Sequence, residues 1–261
     1  MIIYKSQNEI REINKSNRIV AQVLSELTEM VKPGIATLEL DRLAEKRARE
    51  MGAVPAFKGY RGYPASLCTS INEQIVHGIP SKRILKSGDI LSLDFGVVMN
   101  GFYGDAAVTL PVGEISSLAA KLIAVVKESL FRGIKKAVPG NRISDISSSV
   151  QEYVEQQGFF VIRNFVGHGI GFSLHEEPQV PNFGTPGQGP RIKPGMVLAI
   201  EPMIAVGDWE VEILKDNWTA ITKDRSLSAH YEHTIAVTAD GPKILSVADT
   251  ALDVMKESKH A

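Results

Sequence analysis

Lys86-Ser87-Gly88-Asp89-Ile90-Leu91-Ser92-Leu93-Asp94 is answered, 107 positions later, by Lys193-Pro194-Gly195-Met196-Val197-Leu198-Ala199-Ile200-Glu201. Each stretch opens on a lysine, passes a glycine, runs through an apolar segment and ends on a carboxylate. A second acid follows each copy: Asp105-Ala106-Ala107-Val108-Thr109 corresponds to Glu232-His233-Thr234-Ile235-Ala236. Four acids therefore stand at equivalent ends of two related strand pairs. Packed about a local twofold axis, the two copies bring these acids together. Like-charge repulsion and desolvation then cost of order several kcal/mol unless cations sit among them. The repeat thus predicts a metal cluster.

The duplication reaches beyond the strands. Ile10, Ile13, Val20, Val23, Leu24, Leu27 and Met30 recur at helical spacing over residues 6–31, with Ser6 and Glu9 as a capping box. Pro33-Gly34 stops that helix, and Thr37 is placed to cap a second one ending at Gly52. The same plan returns with a helix over 117–137, a stop at Pro139-Gly140, and Ser144 as cap of a helix ending at Gly158. Near the acids the period changes to two: Ser92 and Asp94 share one strand face, as do Ala199 and Glu201, against Leu91, Leu93, Leu198 and Ile200 on the other. Asn100-Gly101 signals a tight hairpin before Asp105. Residues 209–222 read as an extra hairpin, which stretches the later offset, from Asp105 to Glu232, to 127 positions. The expected organisation is one catalytic domain, 1–261, of α+β class, with pseudo-equivalent halves over 6–113 and 116–246.

Composition narrows the field modestly. With 261 residues, 44% hydrophobic content and a net charge of −1, the chain can bury a full core and shows no overall basic bias toward nucleic acid. No specific DNA partner is expected. The charged opening residues carry no apolar run suited to a leader or a membrane span, so a soluble, cytoplasmic protein is expected. Cys68 is the only cysteine, which excludes an internal disulfide and a cysteine zinc site. It is read as a packing residue rather than a reactive one.

Gly167-His168-Gly169-Ile170-Gly171 adds an imidazole flanked by glycines that allow close backbone approach. The following His175-Glu176-Glu177-Pro178-Gln179 is no H-E-x-x-H zinc helix, because its fifth residue is not histidine and Pro178 breaks the helix. Nor do these glycines fit a nucleophile elbow or a dinucleotide loop. A site of four carboxylates and a histidine suits Mn, Fe(II), Co or Zn. Four carboxylates overcompensate one divalent ion, so two are expected, an arrangement recurrent in hydrolases. Peptide or amide hydrolysis is the natural hypothesis.

With Asn72-Glu73 and His77-Gly78-Ile79-Pro80 added, these motifs resemble type I methionine aminopeptidase over nearly the whole chain. The resemblance implies the pita-bread fold and removal of the initiator methionine from the N-terminus of nascent polypeptides with a small second residue. Carried onto this sequence, Asp94 would hold one metal, His168 and Glu201 the other, and Asp105 and Glu232 would bridge both. Glu201 would move the proton, His175 would hydrogen-bond near the scissile carbonyl, and His77 would contact the scissile amide. Phe57, Tyr60, Tyr63, Cys68, Leu174 and Trp218 would line the methionine pocket together with those histidines. Asn72 and Ser228 match positions that help hold a monovalent cation, Na or K, in relatives. A monomer acting near the ribosomal exit tunnel completes the implied picture.

Three positions depart from the common pattern: Phe172 stands for an arginine, Leu174 for a frequent aromatic, and His230 for a frequent glutamine. Leu174 is expected to reshape the pocket, and Phe172 and His230 to change contacts behind the ligands. The rivals are a Xaa-Pro aminopeptidase or dipeptidase on the same fold, and a non-catalytic pita-bread binding protein. The former relatives carry a large N-terminal domain, whereas the helical repeat here begins near residue 6. A type II enzyme would carry a long helical insertion between His168 and Glu232, which this sequence lacks.

Overall fold

Ser6 caps the first helix, α1 (Gln7–Met30), as its spacing predicts: the Ser6 amide donates to Glu9 Oε2 at 2.6 Å and the Glu9 amide to Ser6 Oγ at 3.4 Å. The computed structural model describes residues 1–248, and the remainder of the expected domain, 249–261, lies outside the described residues. After α2 (Thr37–Glu50) come β1 (Val54–Pro55), β2 (Cys68–Ile71), β3 (Gln74–Val76), β4 (Ile90–Met99) and β5 (Phe102–Pro111). The second run opens with α3 (Ser117–Lys136) and α4 (Ile143–Gln156), followed by β6 (Phe160–Val161), β7 (Gly167–Gly169), β8 (Glu176–Val180) and β9 (Val197–Ile200). It closes with β10 (Met203–Ala205), β11 (Val211–Ile213), β12 (Ala220–Thr222), β13 (Ser228–His230), β14 (Glu232–Thr238) and β15 (Gly241–Ile244). Helices with an antiparallel sheet give the α+β, duplicated architecture that the sequence predicts.

The repeat is visible in individual hydrogen bonds. Gly34 donates to the Leu85 carbonyl and Gly140 to the Ile192 carbonyl; an isolated bridge joins Ala36 to Ile84 and another joins Arg142 to Arg191. Thr37 and Ser144 are not the caps expected of them. The N-caps are Ala36 and Arg142, closed by Glu39 and Asp145. The two hydroxyls instead tether their helices to the loops that precede the repeated strands. Thr37 Oγ1 donates to the Ser81 carbonyl at 3.1 Å, and Ser144 Oγ to the Gln188 carbonyl at 2.8 Å. Both ends of this tether recur at the strand repeat's offset of 107, so the two halves are fastened in the same way.

One nine-stranded sheet, ordered β1-β4-β5-β14-β9-β7-β8 with β2 on β4 and β15 on β14, organises the molecule. β4 and β5 are joined by the expected two-residue turn, Asn100 and Gly101 at φ 52° and 81°, and the insertion at 209–222 forms the β11–β12 hairpin. Alternation then sorts the side chains. Leu91, Leu93, Phe95 and Val97 pack against Val20, Val23, Leu24 and Leu27 of α1, while Leu198, Ile200, Ile235 and Val237 pack against Leu130, Ile134, Ile143 and Ile146 of α3 and α4. Each such side chain contributes about 1.5–3 kcal/mol on full burial. The helices thus cover one face of the sheet, and the alternate residues, including the acids, line the other. Among the described residues no helix is long and apolar enough to cross a membrane.

Candidate active site

Strand register alone assembles the acids. Asp94 on β4 pairs with Ala107 on β5, and Glu232 on β14 pairs with the same Ala107. Asp105, two residues before Ala107, shares its face. Ala199 on β9 pairs with His168 on β7 and with Thr234 on β14, and Glu201 lies two residues beyond it. The five predicted ligands therefore come from neighbouring strands in the order β4, β5, β14, β9, β7, with Glu201 just past the end of β9. Alanines between them keep the space beside the carboxylates open.

His168 is held in place by its flanking glycines. A Cβ on Gly169 would lie 2.8 Å from the Glu177 carbonyl carbon, and one on Gly167 would lie 3.2 Å from Val180 Cβ, so β7 can sit between β8 and β9 only without side chains there. His168 Nδ1 lies 2.9 Å from the Gly169 carbonyl, an acceptor that fixes the proton on Nδ1. Nε2 is left with a lone pair, 3.4 Å from Glu201 Oε1.

The electrostatics favour positive charge among these groups. Asp105, Glu201 and Glu232 are held well above the usual carboxylate range by burial and by one another's charge, and burial pushes Asp94 up to about 7. Asp94 Oδ1, Asp105 Oδ1 and Glu232 Oε1 are buried without a hydrogen-bond partner. Ligand atoms of Asp105, His168 and Glu232 lie within 4.8 Å of one another. Unpartnered oxygens beside an unprotonated imidazole nitrogen form a donor set that fits a hard or borderline divalent cation. Burial also lowers the affinity of His168 for a proton, to about 4, which keeps the nitrogen free to ligate.

A cavity of about 340 Å³ opens onto these groups, and all the predicted catalytic, ligand and pocket residues line it. Phe57, Tyr63, Cys68 and Leu174 are buried in its wall, and Tyr60 and Trp218 are half-buried. Burial pushes the Cys68 thiol well up, in keeping with a packing role. His175 stacks on Tyr60 with ring centroids 5.2 Å apart, and its Nδ1 lies 2.8 Å from the Tyr60 hydroxyl. His77 takes φ 62° and meets Trp218 and Phe165 edge to face. The sequence reading missed Arg61, Val76, Asn164, Phe165, Val166 and Met203, which also line the cavity. Only Phe165, an aromatic just before the Gly167 motif, offered a signal.

Asn72 and Ser228 lie together outside this cavity, the Ser228 amide donating to the Asn72 carbonyl at 2.8 Å. Their side chains serve neighbours: Asn72 Nδ2 donates to Asp89 Oδ1, Asn72 Oδ1 accepts from the Ile90 amide, and Ser228 Oγ donates to the Ile204 carbonyl. Of the departures, Phe172 packs beside Phe102 with centroids 5.4 Å apart, Leu174 lines the pocket, and His230 is buried 3.7 Å from Glu201 Oε2.

A curled antiparallel sheet presents buried acids and a histidine toward a cavity, as in a metallopeptidase, and residues 11–239 match metallopeptidase family M24. The chain is 54% identical to a methionine aminopeptidase of Clostridium acetobutylicum over 95% of its own length and 100% of that relative. It is 52% identical to methionine aminopeptidase 1 of Bacillus subtilis, covering 94% and 99%. The crystal structure of a methionine aminopeptidase from Thermotoga maritima superposes with a TM-score of 0.93 at 46% identity, covering 95% of this chain and 100% of that one. The chain belongs to family M24 and, within it, to the methionine aminopeptidases. Divalent metal use and action on polypeptide N-termini follow from that membership.

Proposed function

We propose that this enzyme removes the initiator methionine from nascent polypeptides whose second residue is small and uncharged. The observation that carries this reading is the convergence of three unpartnered carboxylate oxygens with His168 at the floor of an apolar slot. Asp94, Asp105, His168, Glu201 and Glu232 would hold two divalent ions, drawn from Co, Mn, Fe(II) or Zn. Bound there, such ions polarise a scissile carbonyl and lower the pKa of a water nucleophile.

The chain's own groups do the rest. Glu201 takes the proton from the attacking water and passes it to the leaving amine. His175 is neutral, its proton affinity lowered by burial and by His168 and Arg61. With the Tyr60 hydroxyl donating to Nδ1, the Nε2 proton is left to stabilise negative charge developing on the carbonyl oxygen. His77, between Trp218 and Phe165, faces the scissile amide. Phe57, Tyr63, Cys68, Leu174 and Trp218 exclude water around the methionine side chain, whose burial is worth about 1.5–3 kcal/mol. A monovalent cation at Asn72 and Ser228 would compete with the hydrogen bonds that their side chains make to Asp89, Ile90 and Ile204. A monomer acting in the cytoplasm near the ribosomal exit belongs to the same reading.

The test compares Met-Ala-Ser, a peptide with proline second and one with a large second residue, each with and without added divalent ions. Metal-dependent release of methionine from Met-Ala-Ser is expected to dominate. Preference for the proline peptide would favour the Xaa-Pro alternative, and no metal-dependent release from any peptide would favour a binding protein.

A further inference from the structure

We propose that the buried ion pair between Lys5 and Glu176 is a positioning device for His175, through which the segment ahead of α1 sets the geometry of the active site; this rests on the role given to His175 above. The partners are separated by 171 positions in sequence, and their side chains are only 1% and 5% exposed. Glu176 follows His175 directly, and its carboxylate is a clamp. One oxygen accepts from the amides of Phe172 and Ser173 at 2.7 and 3.1 Å, and the other accepts from Lys5 Nζ. The loop leading to His175 is thus folded around one carboxylate that a single lysine anchors.

Lys5 is itself fixed from outside the loop. Its amide donates to the Gly195 carbonyl at 2.7 Å, and its Nζ also donates to the Ile3 carbonyl at 3.3 Å. Its chain fills the space where Gly171 has no side chain: a Cβ there would lie 2.6 Å from Lys5 Cε. By contrast, among the described residues the His175 imidazole has Tyr60 as its hydrogen-bond partner, with the His168 ring centroid 4.3 Å away. Its orientation therefore depends on where the backbone of Glu176 is held. A buried ion pair adds little net stability compared with an apolar pair of similar volume, so the specificity of the loop's path is what this one supplies.

The experiment uses the metal-loaded enzyme and Met-Ala-Ser. The double change Lys5→Met with Glu176→Gln removes both charges, leaves no unpaired buried ion, and is made in the parent and in a His175→Ala background. The expected result is a kcat about tenfold lower or less still, with KM and bound metal within about twofold of the parent. In the His175→Ala background the same change should alter kcat by less than about twofold, because the pair acts through His175. Lys5→Arg, which keeps the charge but displaces it, should lose kcat partially under the same rule and serves if the double variant does not fold. Parental kcat in these variants, or an equal loss without His175, overturns the inference. A His175→Ala enzyme with full turnover would remove the role of His175 and the inference with it.

Discussion

Asp94 and Glu232 stand in register with the same residue, Ala107, one on each side of it. Two acids 138 positions apart in the sequence are thus separated in space by a single strand and one methyl group. Cross-strand partners project to the same face, so nothing but that methyl lies between their side chains along the row. Ala107 is fully buried, and its size limits the space between the two carboxylates.

Ala107→Leu should therefore fill the site without touching a ligand. Overpacking costs about 1–3 kcal/mol, a loss the fold can absorb. Affinity for Mn(II) should fall by about tenfold or more, with far-UV circular dichroism unchanged. Calorimetric titration of the metal-free protein checks this, and unaltered affinity would show that the methyl does not face the acids.

Glu201→Gln is nearly isosteric and keeps one oxygen for ligation, but it cannot take a proton. Turnover of Met-Ala-Ser should drop by about a hundredfold or more, the range for loss of general acid–base catalysis. Thermal melting should stay near the parent value. Parental turnover at full metal loading would remove Glu201 from the proton path.

The acids were legible in the sequence through local alternation, the two-copy plan through a match 107 positions apart, and the histidine through the glycines on either side of it. Alternation placed Asp94 with Ser92 and Glu201 with Ala199, and register did the rest. Thr37 and Ser144 misled because a hydroxyl at a helix start reads as a cap, whereas the long-range partners Ser81 and Gln188 that claim these hydroxyls leave no local trace. Asn164 and Arg61 reach the cavity by loop paths that no period encodes. The Lys5–Glu176 pair is of the same kind, since a lysine ahead of a capping box looks like a solvated charge until the fold buries it.

His230 has both ring nitrogens buried without hydrogen-bond partners, and its Nε2 lies 3.7 Å from Glu201 Oε2. Burial holds it neutral, with a proton affinity lowered to about 3, so it can support Glu201 only as an uncharged donor. His230→Gln preserves such a donor and should keep metal affinity within a few fold. His230→Leu removes it and should weaken affinity by about 10–100-fold, as loss of a group behind a ligand does. Equal affinities in the two variants, measured by competition with a chelating dye, would mean that the imidazole only fills space.

Metal removal should make stability depend on pH with a definite sign. Asp94, Asp105, Glu201 and Glu232 bind protons more tightly when folded, so the stability they contribute is complete below the ordinary carboxylate range and is lost as pH rises through about 7, the value for Asp94, and beyond. The imidazoles of His77, His168, His175, His230 and His233 act oppositely, because burial lowers them from 6.5; their contribution grows as pH rises through that value and is complete only about one unit above it. Between about pH 7.5 and 8.5 the acids dominate, and the melting temperature of the metal-free protein should fall steadily. Excess Mn(II) replaces those protons and binds the folded state alone, so it should raise the melting temperature most at the alkaline end. Scanning calorimetry at a series of pH values with and without the ion tests both halves, and a metal-free protein that grows more stable from about pH 7.5 to 8.5 would contradict the crowding of carboxylates on which the site is built.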